Sequence, residues 1–212
     1  TPVVIGRRNK ISDAVFNKIA SEKKSKIFYS DQKNNYVSDL NGDFQIENIN
    51  TAEKTFQILN KEKILNISDI EISNGLNRVL KNTGLRGRWE ITSLKPKTIF
   101  DIGHNFDAIN KSMNEINNLS YENLHMIIGF VNDKNLKKIL NLLPKNAYYY
   151  FCKPNISRGF CERELLKMSQ KFNLKGNCFS ISSVAFEKAN EKANENDIIF
   201  VGGSTFLVAE LI

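Results

Sequence analysis

Asp101 and His104 close an apolar run, 98–102, that reads as a buried strand. Gly103 lets the chain turn sharply after it. A carboxylate at such a strand end can accept both hydroxyls of a ribose diol, as happens at the carboxyl edge of open α/β sheets. It can equally cap the turn that follows. His104 can face a base or a phosphate, or be satisfied by nearby backbone. A second stretch, Gly84-Leu85-Arg86-Gly87-Arg88-Trp89-Glu90, places two arginines beside two glycines. A guanidinium fork can clamp a phosphate through paired hydrogen bonds; the plainer reading is a hinge with solvated arginines. Gly202-Gly203-Ser204-Thr205 is a third. Its backbone N–H groups can hold an anion, or Ser204 can simply be the N-cap of the last helix. Lys134, Lys153 and Arg158 lie in loops after strand-like runs. Three cations near the carboxyl ends of strands suit an acidic ligand, though each is also an ordinary loop residue. No G-x-x-x-x-G-K-[ST] occurs, and no G-x-G-x-x-G follows a strand. That argues against a free-standing dinucleotide-binding domain.

The elements that position these residues follow from hydrophobic period and punctuation. From residue 85 onward, strand and helix patterns alternate. Strands are expected at 88–93, 98–102, 124–129, 147–151, 177–180 and 197–201. Helices are expected at 106–118, 133–143, 161–172, 182–194 and 204–211. Asn105 is a good N-cap for the helix after Asp101, and Asp107 suits its first turn. Alternation with short connections implies an α/β fold built on a mostly parallel, Rossmann-like sheet covered on both faces. Before residue 85 the pattern differs. Residues 2–6 and 26–29 read as short strands around a helix capped by Ser12 and running to about residue 24, with Val15, Phe16, Ile19 and Ala20 on one face. Two such strands make no stable sheet alone, so the sheet is expected to be completed by more protein. Residues 36–46 suggest a hairpin around Asn41-Gly42. Asn50-Thr51 precedes an expected helix at 52–59. Ser68 and Glu71 form a capping box for a helix to about residue 80, ended by Gly84. The domain boundary is therefore placed between 84 and 85.

The 212 residues are 41% hydrophobic and 25% charged, which is ordinary globular composition. No apolar run approaches a membrane span. Cys152, Cys161 and Cys178 form no C-x-x-C and read as free thiols in a reducing, cytoplasmic compartment. With only His104 and His125 beside them, no metal site is expected. The net charge is +7, but residues 1–35 hold eight basic and three acidic side chains, so +5 of it lies there. Aromatics are not interleaved with those cations, so nucleic acid is not the expected partner.

Taken in order, Asn48 before a helix, G-L-R-G-R-W-E at 84–90, F-D-I-G-H-N at 100–105 and G-G-S-T-F-L-V-A-E at 202–210 resemble folylpolyglutamate synthase and dihydrofolate synthase of the Mur ligase superfamily. The resemblance spans 2–212. It implies an ATP-dependent ligase that joins L-glutamate to dihydropteroate or folate through an acyl phosphate, using Mg2+. It further implies that 1–84 is the end of a central ATPase domain and 85–212 the C-terminal Rossmann-like domain, with ATP in the cleft between them, in a monomer. By motif, Asn48 matches the residue that reads adenine, Arg88 the arginine on the nucleotide phosphates, and Asp101 the ribose ligand. His104 matches the family's D-x-A-H-N histidine, near the nucleotide. No catalytic residue of this chain is implied.

Two departures stand out. Phe106 replaces a family proline at the first helical position, where proline only pre-sets the helix. The phosphate loop, the magnesium ligands and the modified lysine of the family's ATPase domain are missing, so the chain alone is expected to be inactive. The rival readings are a non-catalytic nucleotide- or partner-binding module and a ligase for a cell-wall precursor. Alanine at Asp101 or Arg88 is expected to cut ligation in the full-length enzyme while leaving the fold intact.

Overall fold

The computed structural model describes residues 1–31, 35–132 and 135–212. The chain divides into two compact units, Thr1–Leu85 and Arg86–Ile212. No helix among the described residues is long and apolar enough to cross a membrane.

In the first unit, β1 (Val3–Ile5), α1 (Lys10–Glu22) and β2 (Ile27–Tyr29) form one strand-helix-strand unit, with β1 and β2 parallel. Asn9, not Ser12, caps α1. Its Oδ1 accepts from the Ile11 and Ser12 N–H groups (3.0 and 3.4 Å), and the Ser12 hydroxyl donates back to Asn9 O. The apolar face of α1 exists as read, but only Ala20 of the four is buried; Val15, Phe16 and Ile19 are 55%, 40% and 47% exposed. With Val3 and Ile5 they line an apolar groove of about 550 Å³.

The expected hairpin at 36–46 is not there: its described residues hold no strand. Gly42, at φ +96°, instead turns the chain into α2 (Gln45–Lys61). Alternation at 37–46 suggests period two, whereas α2 buries Gln45 and Ile49, one helical turn apart, and Ile58 further along. Asn48, Asn50 and Thr51 thus lie inside the helix. The Thr51 hydroxyl donates to Glu47 O at 2.8 Å, the back-bond of a mid-helix threonine, so Thr51 caps nothing. The Ser68–Glu71 capping box is present at the start of α3 (Asp69–Leu76). The helix breaks at Asn77 and Arg78 and resumes as α4 (Val79–Thr83), whose Leu80 N–H donates to Asp39 Oδ2 (3.0 Å). Gly84 ends it at φ +64°.

The second unit contains β3 (Glu90–Leu94), β4 (Lys97–Asp101), α5 (Phe106–Asn117), β5 (Leu124–Ile128), α6 (Leu136–Leu142) and β6 (Ala147–Cys152). It continues with α7 (Glu162–Gln170), β7 (Lys175–Phe179), α8 (Ser182–Lys192), β8 (Ile198–Gly202) and α9 (Thr205–Leu211). The sheet order is β3-β4-β8-β5-β6-β7. Every pairing is parallel except β3 with β4. The fold is α/β with a mostly parallel sheet, as read from the sequence. β3 begins two residues later than expected because Arg88 and Trp89 belong to a turn.

Phe100, Ile127, Tyr150, Ile199 and Val201 pack on Ala185 and Ala189 of α8 and Leu207 and Val208 of α9. Alternation sends their neighbours Ile99, Met126, Ile128, Phe151 and Phe200 to the opposite face, where all are buried. Both faces are therefore covered, which fixes the strand register and hence the row of residues at the carboxyl edge.

Candidate nucleotide site at the carboxyl edge of the sheet

Register brings the candidate stretches of the second unit to one edge. Asp101 and Ile128 both lie opposite Gly202, and Phe151 lies opposite Ile128. The loops leaving β4, β5, β6 and β8 therefore emerge side by side. This is the edge where open parallel sheets bind ligands.

Asp101 is buried, 4% exposed. Its Oδ1 accepts from the Gly103 N–H (2.9 Å) and the Ser112 hydroxyl (3.1 Å); its Oδ2 accepts from the Trp89 N–H (3.0 Å). Burial pushes its pKa up, while these three donors and the nearby Arg88 charge oppose the rise. One carboxylate thus ties together the arginine turn, the turn after β4 and α5. The turn-capping reading of Asp101 is realised, and Oδ2, with a single protein donor, keeps acceptor capacity for one further hydroxyl.

The arginine turn is built on left-handed backbone. Gly87 has φ +68° and Trp89 has φ +52°. Gly87 must be glycine twice over, because a Cβ there would meet Ile102 Cγ2 at 2.8 Å and Val208 Cγ1 at 2.9 Å. Glu90 closes the turn: its Oε1 accepts from Arg86 Nε (2.6 Å) and its Oε2 from the Gly87 N–H (2.7 Å). The Ile102 N–H donates to Gly87 O (2.8 Å). Trp89 is buried against Phe200, ring centroids 6.3 Å apart. The two arginines therefore differ. Arg86 is committed to Glu90, whereas Arg88 is exposed and has no carboxylate at ion-pair distance among the described residues.

His104 is exposed, with Nδ1 3.0 Å from Ile102 O. A carbonyl can only accept, so Nδ1 carries a proton, and in the neutral ring Nε2 is an acceptor. Asn105 caps α5 as expected, accepting from the Ala108 N–H at 2.9 Å. Ser204 caps α9, accepting from the Phe206 N–H at 3.2 Å, and is itself buried. Arg158 lies over the Phe206 ring, 5.4 Å from its centroid, and Lys153 is exposed. Lys134 falls outside the described residues. Asn48, in the first unit, is on the exposed side of α2, and its Nδ2 donates to Gln45 Oε1 (2.7 Å). Arg88, Asp101 and His104 are thus brought to one strand end; Asn48 belongs to the other unit.

Sequence reasoning missed Glu90 and Ser112. Glu90 stands inside the quoted arginine motif, three residues after Gly87. Ser112 is one turn along α5 from Ala108, on the side that faces Asp101. Among the described residues no group of three or more His, Cys, Asp and Glu side chains could hold a metal ion.

The second unit matches the family described as Mur ligase, glutamate ligase domain, over residues 87–205, more than half of the chain. A probable bifunctional folylpolyglutamate synthase/dihydropteroate synthase of Haloferax volcanii is 28% identical over 141 residues, 65% of this chain and 17% of that protein. The solved structure of Escherichia coli FolC in complex with DHPP and ADP superposes with a TM-score of 0.83 at 20% identity, covering 100% of this chain and 52% of that one. A bifunctional folylpolyglutamate synthase/dihydrofolate synthase of Yersinia pestis, complexed with AMPPNP and a Mn ion, gives 0.78 at 20% identity, again over 100% and 52%. The chain thus spans about half the length of these solved structures. With the parallel sheet, the arginine turn and the strand-end aspartate in place, the family match over residues 87–205 makes this chain a member of the Mur ligase family carrying its glutamate ligase domain.

Proposed function

We propose that this chain is the C-terminal portion of a folylpolyglutamate/dihydrofolate synthase, an ATP-dependent carboxylate–amine ligase. The observation that carries the reading is the strand end itself: the Arg88 guanidinium, with no ion pair among the described residues, beside the buried carboxylate of Asp101 and the exposed His104 imidazole. In the proposed reaction a pteroate or folate carboxylate attacks the γ-phosphorus of ATP. The bond to the β-phosphate oxygen breaks and ADP leaves. The amine of L-glutamate then attacks the acyl phosphate, loses a proton and expels phosphate. Arg88 would hold the nucleotide phosphates, with charge developing on them as the phosphoryl group moves. Asp101 Oδ2 and His104 Nε2 would accept the ribose hydroxyls. Asn48 enters the reading through its motif, as an amide suited to an adenine edge. Mg2+ would be held by protein that this chain does not supply.

Residues 1–84 are read as the end of the central ATPase domain and 85–212 as the C-terminal domain. The exposed Val15, Phe16 and Ile19 beside a two-stranded sheet support the view that ligation needs more protein than this chain. Free cysteines at 152, 161 and 178 fit a reducing, cytoplasmic setting, and the protein is proposed to work as a monomer. ATP-dependent glutamate ligation to dihydropteroate, measured on this chain and on a version extended upstream, tests the reading. Activity in the extended version alone is the expected result; activity in neither favours a nucleotide- or partner-binding module.

A further inference from the structure

We infer that Glu90 is a positioning residue for Arg88, holding the arginine turn in the one conformation that presents that guanidinium at the end of β4. The inference rests on the reading of Arg88 as a nucleotide contact. Its evidence is the geometry of the turn. Two left-handed residues, Gly87 and Trp89, flank Arg88. Left-handed backbone at a bulky residue is held only when its surroundings over-determine it. Here Asp101 accepts the Trp89 N–H and Glu90 accepts the Gly87 N–H, one on each side of Arg88. Glu90 has a second effect. By taking Arg86 Nε at 2.6 Å it pairs the neighbouring arginine with a carboxylate, so that of the two guanidinium groups Arg88 is the one without such an ion pair among the described residues. Arg88 is thus fixed through its neighbours' backbone while its own side chain makes no ion pair among the described residues, which lowers the ordering cost of binding an anion.

The turn carries its own reporter, since Trp89 is the sole tryptophan of the chain. The test compares Glu90→Ala, Glu90→Gln, Arg86→Ala and Arg88→Ala with the wild-type chain. Three quantities are measured: backbone order at Arg88 by NMR relaxation, Trp89 emission, and the affinity for ADP. Glu90→Ala is expected to lower order at Arg88, shift Trp89 emission to the red and weaken ADP about tenfold, with sheet resonances unchanged. Glu90→Gln keeps one acceptor and is expected to fall between. Arg86→Ala keeps the Gly87 bond and should leave Arg88 ordered. If Arg88 order and Trp89 emission are unchanged in Glu90→Ala, the positioning role is overturned. If the turn loosens but the chain binds ADP no worse after Arg88→Ala, or shows no ADP binding, the nucleotide reading of Arg88 is what fails, and the consequence for affinity fails with it.

Discussion

The Trp89 N–H donates to Asp101 Oδ2 across 3.0 Å, joining a left-handed residue of the arginine turn to a carboxylate that is 4% exposed. This bond changes what a substitution at the strand end should do. Asp101 and Arg88 carry one charge each in the proposed site, yet only Asp101 is part of the packing.

Asp101→Ala leaves the Trp89 N–H, the Gly103 N–H and the Ser112 hydroxyl without their acceptor in a buried place. Unmatched buried donors cost about 1–3 kcal/mol each and are not additive. A loss of about 3 kcal/mol in urea unfolding is expected, against less than about 0.5 kcal/mol for the exposed Arg88→Ala. The sequence alone put both substitutions in the class that spares the fold; the hydrogen bonds of Asp101 remove it from that class. Equal stability of the two variants would return Asp101 to a purely ligand-facing role.

The opposite end of the sheet supplies a pH dependence. His125 Nε2 lies 3.4 Å from Asp197 Oδ2, and its Nδ1 lies 3.1 Å from the Tyr150 hydroxyl, with both members of the His–Asp pair 1% exposed. Burial lowers the pKa of His125 by more than Asp197 raises it. A histidine with a depressed folded pKa binds fewer protons folded than unfolded. Its contribution to stability is complete above its unfolded value of about 6.5 and is lost as pH falls through the folded value. Asp197 has the same sign in a lower window. Burial pushes it up, but bonds from Asn194, Asn123 and His125 hold it below the usual carboxylate range, so its contribution fades below about pH 4. Asp101, raised by burial, acts with opposite sign and in the range above about pH 4, so it offsets part of the His125 slope rather than the Asp197 one. Stability should therefore be level from about pH 7 to about pH 8, below the range where the buried Cys152 and Tyr150, both raised to about 12, begin to cost stability, and decline as pH falls through about 6.5 towards 5, by at most about 1.4 kcal/mol per pH unit. In His125→Gln that decline should vanish. Parallel curves for the two proteins would assign the slope to other groups.

The α/β alternation after residue 85 was readable because its strands are continuous apolar runs buried on both faces, a pattern with little competition from other folds. The first unit was harder. At 36–46 a few apolar residues fit period two by chance, and the helix through 45–61 buries polar Gln45 with Ile49, a combination that hydrophobic spacing does not flag. At the site, Asp101 and Arg88 were visible as charged residues at a strand end and a glycine turn. Nothing in residue type distinguishes Arg86 from Arg88. That distinction arises from where Glu90 points, which depends on two left-handed residues, one of them a tryptophan. Likewise the cap of α1 passed from Ser12 to Asn9 because both are good caps and only the backbone path decides between them.

Two glycines three residues apart give a final contrast. Both have positive φ, +64° at Gly84 and +68° at Gly87. A Cβ at Gly84 meets nothing within 4 Å, so Gly84→Ala carries only the left-handed backbone penalty of about 1–2 kcal/mol. A Cβ at Gly87 meets Ile102 Cγ2 at 2.8 Å and Val208 Cγ1 at 2.9 Å. Those side chains belong to the strand end and to α9, and Val208 is 1% exposed, so it has little room to move aside. Overpacking adds about 1–3 kcal/mol to the same backbone penalty. Gly87→Ala is therefore expected to destabilise by at least twice as much as Gly84→Ala in urea unfolding, and to weaken any ADP binding that depends on Arg88, since relief of the clash displaces the turn. Gly84→Ala should leave ADP affinity unchanged. Equal costs for the two variants would show that the turn yields to an added methyl group, and that its position is not fixed by contact with Ile102 and Val208.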